Sequence, residues 1–229
     1  MTTRNNYIDF LRFIGVFFIV LAHVNAPHTI SQLRCFDVPL MIFISGLAFS
    51  GKHVSASWKE FYFPRIKRLI IPVYLFLTCF FLLLYILNIR PSFYEIADSY
   101  LLLNNGYVNY VWIIRIFLLI MIITPYLIRL NNNLSFQQFW IVLIVGMICN
   151  EFISTICAGL SSEWFLNRII IETIPYSIGY SLVFISGLRL RNIEIAEEKM
   201  NRTILLILFT IGLLIYIYIH GTFISISPE

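Results

Sequence analysis

The chain has 229 residues, 59% of them hydrophobic and 12% charged, with a net charge of +4 and a mean hydropathy of +0.85. Soluble domains carry about 25% charged residues, so a soluble globule is excluded, and so modest a charge does not point to a nucleic-acid partner. The apolar runs are continuous rather than alternating, which excludes a β-barrel and leaves a helical membrane protein.

The fold class is therefore all-α: a polytopic transmembrane helix bundle forming a single domain over 1–229. Seven spans are predicted, at approximately 7–26, 36–51, 69–88, 108–129, 136–157, 168–188 and 203–223. With the N-terminus in the cytoplasm, eleven Lys and Arg residues fall on the inner side and only Arg34, Arg90 and Arg168 on the outer side. That asymmetry fixes the expected orientation. No cleavable signal peptide is expected, because the first apolar segment is long, holds Arg and His, and lacks a small-residue motif after it.

The first span, YIDFLRFIGVFFIVLAHVNAP, retains Asp9, Arg12 and His23. Eleven residues separate Arg12 from His23, which on a continuous helix is close to three turns. Both side chains are then expected on one face, about 16 Å apart. Ionisable groups inside a membrane are costly and point to function. Asp9, three residues before Arg12, is an alternative partner that makes Arg12 a simple anchor. The second span opens with Asp37 and Pro39 and ends in Ser45, Gly46, Ser50 and Gly51, small residues that let another helix approach closely. The stretch from Lys52 to Arg68 is read as the longest cytoplasmic loop, with Arg65 and Arg68 on one side if it is helical and Lys67 between them.

An outer loop is expected over 88–110, followed by Tyr107, Tyr110 and Trp112 as an interfacial aromatic cluster. Arg115 is buried below it, with Glu151 or Glu172 as its expected partner. Pro125 and Pro175 fall inside spans and are expected to kink them. The stretch 189–202 mixes charges and reads as a solvated connector. Phe43-Ile44-Ser45-Gly46-Leu47 recurs as Phe184-Ile185-Ser186-Gly187-Leu188, a short echo at the inner ends of two spans. Cys35, Cys79, Cys149 and Cys157 have no metal-ligand spacing, and no metal is expected. No GxSxG elbow, HExxH or P-loop is present.

Taken together these residues resemble the membrane-bound acyltransferase-3 family, which includes bacterial polysaccharide O-acetylases and fucose 4-O-acetylase-like proteins. The resemblance rests on Ile8-Asp9-Phe10-Leu11-Arg12 followed by His23, on Asp37, Pro39, Phe43, Ser45 and Gly46, and on Arg65 and Arg68 followed by Leu69 and Pro72. Trp112 and Arg115 resemble the family's tryptophan-led fourth helix. It implies transfer of an acyl group, commonly acetyl, from cytoplasmic acetyl-CoA to a sugar or polysaccharide hydroxyl at the outer face of the bacterial inner membrane. Arg65 and Arg68, with Lys67, would hold the CoA phosphates, Arg12 would line the path, and His23 would act as base or acyl carrier. Glu172 is the in-chain substitute for an acidic partner of His23. Family members are usually longer, so the chain is expected to be a C-terminally short form. A transporter for a glycan or acyl donor, and an inactive remnant or assembly partner, are the alternatives.

Overall fold

The computed structural model describes residues 6–21, 23–24, 36–49, 58–103, 106–160 and 165–195, with the backbone alone at 58, 165–168, 172 and 192–195. Seven α-helices fill these segments: α1 (Asn6–Leu21), α2 (Asp37–Leu47), α3 (Trp58–Ile86), α4 (Phe93–Tyr100), α5 (Trp112–Asn133), α6 (Phe136–Ala158) and α7 (Phe165–Ile195). A 3₁₀ turn, Asn109–Val111, leads into α5. No strand occurs among the described residues.

Four helical stretches are long and apolar enough to cross a membrane: Lys59–Ile86, Asn109–Asn133, Phe136–Ala158 and Ile169–Arg191. The helix in the second predicted span is shorter than predicted. At 1.5 Å per residue the 11 residues of α2 cover about 16 Å, roughly half of a hydrocarbon core. The first helix ends at Leu21, so His23 lies in the turn beyond it. The predicted span at 203–223 lies outside the described residues.

Two stretches read as loops prove to be helical. Residues 58–68 form the first three turns of α3, which runs through Pro64 and Pro72, so Arg65 and Arg68 are one helical turn apart. Residues 189–195 continue α7 and carry Arg189 and Arg191 into packed positions. The expected outer loop contains α4, opened by a capping box: Ser92 N–H donates to Glu95 Oε2 at 2.7 Å and Glu95 N–H to Ser92 Oγ at 3.2 Å. Ser135 and Gln138 repeat the device at the start of α6, allowing α5 and α6 to turn on only Leu134 and Ser135.

The contacts fix the helix directions. Phe18 packs edge-on against Phe36 and Gly15 faces Met41, so α1 is antiparallel to α2. Asp37 lies within electrostatic reach of Tyr180, while Phe49 meets Phe184 and its carbonyl accepts from Arg191. Helices α2 and α7 are thus parallel. Helix α5 runs with them, Trp112 stacking on Tyr176 at one end and the Asn131 carbonyl accepting from Arg189 at the other. The core between these three consists of Ile42, Ile116, Ile120, Phe184 and Leu188. Helices α3 and α6 run the opposite way on its flanks: Phe61 packs with Met121 and Leu77 with Val111, while Gly146 faces Leu182 and Asn150 faces Gly179.

The sequence echo meets itself at the centre. A Cβ on Gly46 would strike the Phe184 carbonyl oxygen, and a Cβ on Gly187 would strike that of Phe43. The two FISGL segments cross reciprocally, backbone against backbone, around a local pseudo-two-fold relation. Only glycine allows this approach, which replaces side-chain interlocking by direct contact between Cα groups and carbonyls.

Candidate functional site

The helix directions give the bundle two ends. At the first, α1 ends and α2, α5 and α7 begin; at the second, α3 and α6 begin.

The second end holds a cavity of ≈ 190 Å³ between α2, α3, α5 and α7. Ser45, Phe49, Arg65, Arg68, Thr124 and Phe184 are among its walls, and the remainder is aliphatic and aromatic. Arg65 is placed by α3 so that its guanidinium lies over the ring of Phe61 at 4.1 Å and near that of Phe49 at 5.8 Å. It also donates from Nη1 to the Phe61 carbonyl at 2.5 Å. This stacked guanidinium is held flat, with its remaining N–H groups directed by the rings beneath it. Arg68, one turn on, is exposed and lines the same cavity. Lys67 is exposed and is not part of the wall.

The cavity hydroxyls are already committed as donors. Ser45 Oγ donates to the Met41 carbonyl at 2.8 Å and Thr124 Oγ1 to the Ile120 carbonyl at 2.7 Å. What they turn to the cavity is lone pairs, so Ser45 acts as an acceptor wall and not as a nucleophile. Gly46 faces away from the cavity, into α7. The site is therefore an apolar slot with two guanidinium groups, suited to an anionic head with a narrow, largely apolar arm.

The first end carries a different chemistry. The His23 ring meets that of Tyr110 edge-on at 4.1 Å. Its Nδ1 lies 2.6 Å from the Ile19 carbonyl oxygen, and since a carbonyl only accepts, Nδ1 carries the proton. The neutral ring then presents a basic Nε2. Trp112, the first residue of α5, stacks on Tyr176 at 5.3 Å, and Tyr176 on Tyr180 at 6.0 Å. Asp37 is buried, its Oδ1 accepting from Val38 N–H at 2.6 Å in the first turn of α2, where a negative charge is favoured. Arg115 follows Trp112 by one turn on α5.

Arg12 and His23 are not brought together. Arg12 donates from Nη1 to Asp9 Oδ1 at 3.1 Å, on a half-exposed face of α1. This is the local pairing that makes Arg12 an anchor, and it stands apart from the guanidinium cavity. The side chain of Glu172 lies outside the described residues. Glu151 lies in a groove between α6 and α7. No cluster of metal-ligating residues occurs among the described residues.

Sequence reasoning missed the aromatic partners of the cavity. Phe49 and Phe61 flank Arg65, and the signal that could have found them is the spacing of Phe61 four residues before Arg65 on a helix. It also missed Tyr176 and Tyr180, two rings four residues apart that stack with Trp112.

Residues 5–227 match the model of the acyltransferase-3 family, described as an acyltransferase domain. Searches of curated proteins and of solved structures found no match.

Proposed function

Since the chain belongs to the acyltransferase-3 family, and so is a membrane acyltransferase, we propose that it moves an acetyl group from acetyl-CoA to a hydroxyl of a cell-envelope sugar or polysaccharide. The observation that carries this reading is the pairing of Arg65 and Arg68 on one wall of an apolar cavity. Two guanidinium forks suit phosphate groups, and the slot between α2, α5 and α7 suits the pantetheine arm. With the basic end facing the cytoplasm, as the positive-inside asymmetry favours, the donor enters from that side of the bacterial inner membrane and the acceptor from the other.

In this mechanism the arginines hold and orient the donor, and the aliphatic wall excludes water from the thioester. His23 Nε2 takes the proton of the acceptor hydroxyl as its oxygen attacks the thioester carbonyl. The Nδ1–H bond to the Ile19 carbonyl holds the ring in the required tautomer. Collapse breaks the carbon–sulfur bond, the sulfur takes up a proton, and an ester and a free thiol result. Asp37 and Arg115 support the acceptor end of the bundle, and Asp9 holds Arg12 at the other.

The test is transfer of label from radiolabelled acetyl-CoA to membrane glycan in cells expressing the chain, beside His23→Ala and Arg65→Ala. Label that vanishes in both variants is the expected result. No label with a stably inserted wild-type protein would overturn the reading in favour of a non-catalytic assembly partner. A transport pathway has less support: α5 and α7 run unbroken through Pro125 and Pro175, without the interrupted helices such pathways use.

A further inference from the structure

The pseudo-two-fold crossing of α2 and α7 has a groove on each side. On the Ser45 side lies the guanidinium cavity. On the other, Val183 and Ser186 occupy the places that Ile42 and Ser45 hold in the first, and α6 supplies Asn150 and Glu151 where α3 supplies Arg65 and Arg68. This second groove has a volume of ≈ 250 Å³.

Its polar atoms are all acceptors. Asn150 Oδ1 is buried and has no hydrogen-bond partner among the described residues. Ser186 Oγ spends its proton on the Leu182 carbonyl at 2.8 Å and turns lone pairs outward. Glu151 adds a carboxylate, eight residues inside the C-terminal end of an otherwise apolar helix. No cation occurs among the described residues that line the groove. A carboxylate and an unpaired amide oxygen at such depth are costly unless a donor meets them.

We propose that the groove between α6 and α7 is a second binding site, for the primary ammonium group of an amphiphilic amine. An ammonium carries N–H donors and a positive charge on a compact centre, matching the amide oxygen, the hydroxyl oxygen and the carboxylate. The groove opens beside Met147, which is exposed, so the hydrocarbon part of the ligand remains in lipid. The assignment is independent of the acyl-transfer reading: it uses the opposite side of the helix pair and opposite charge.

The experiment uses the full chain in phosphatidylcholine nanodiscs, with dodecylamine and dodecyltrimethylammonium as probes. Two readouts are taken: retention by native mass spectrometry, and protection of Glu151 from a hydrophobic carbodiimide. Dodecylamine is expected to bind at least tenfold more tightly than the trimethyl probe, which has the charge but no N–H. Glu151→Gln and Asn150→Leu should each lower dodecylamine affinity tenfold or more, while Arg68→Gln leaves it unchanged. Discs doped with phosphatidylethanolamine separate the sources: protection by that lipid identifies a headgroup, and protection by dodecylamine alone identifies a free amine. Equal binding of both probes, or no protection of Glu151 in the wild type, would overturn the proposal.

Discussion

A guanidinium laid over two phenyl rings has little freedom left to lose when a phosphate arrives. Arg65 is in that condition, over Phe61 and beside Phe49, whereas Arg68 is a free arm at the cavity wall. The two should therefore fail differently. Arg65→Lys keeps the charge but gives up the planar stack, and is expected to raise the KM for the acyl donor about tenfold with little change in kcat. Phe61→Leu, which leaves both arginines in place, should raise it several-fold, in line with about 0.5–1 kcal/mol for a stacked cation. Donor-dependence curves on membranes from the three strains check both values. His23 belongs to another class: His23→Ala removes the base, and kcat should drop about 10²–10⁴-fold. A retained kcat would move the proton-accepting role elsewhere.

At the scale of the helices, legibility followed the physical signal. Long apolar runs announced α3, α5, α6 and α7 because twenty apolar residues have few other uses. The start of α3 was hidden because Lys59, Arg65, Lys67 and Arg68 make a helical segment look like a basic loop, and Pro64 argues for a turn when it is read without its neighbours. Helix α4 could have been seen: Ser92 and Glu95 stand three apart, as a capping box requires. The pairing of Arg65 and Arg68 was legible from their spacing, but the wall they share was not, because Ser45, Thr124 and Phe184 are distant in sequence and only packing unites them. The expected common face of Arg12 and His23 depended on a helix continuing past Leu21, and the helix stops there. The FISGL echo is the clearest case of a signal too short to weigh alone that the structure explains. Gly46→Ala and Gly187→Ala are each expected to destabilise the bundle by about 1–3 kcal/mol, the usual cost of overpacking. Thermal unfolding in detergent measures this, and Ser92→Ala, which removes one cap at the periphery, should cost about 1 kcal/mol.

The whole molecule places unlike chemistries at its two ends: stacked guanidinium groups at one, and an imidazole with tyrosine and tryptophan rings at the other. In sealed vesicles of uniform orientation, donor added to the Arg65 side should support transfer and donor added to the His23 side should not. Raising the ionic strength should weaken use of the donor, because exposed Arg68 is screened by salt. Equal rates from both sides would show that donor entry is not governed by the arginine cavity.

The two glycines at the crossing have a consequence for capacity. Because α2 and α7 touch through their backbones, the spacing of that one pair sets the width of the hollows on either side. Gly46 and Gly187 are thus a single gauge read by two pockets, and a molecule that wedges the pair apart from one side also widens the other. Occupancy on the two sides is then thermodynamically linked, and the linkage is mutual: whatever factor one ligand imposes on the affinity of the other is returned unchanged.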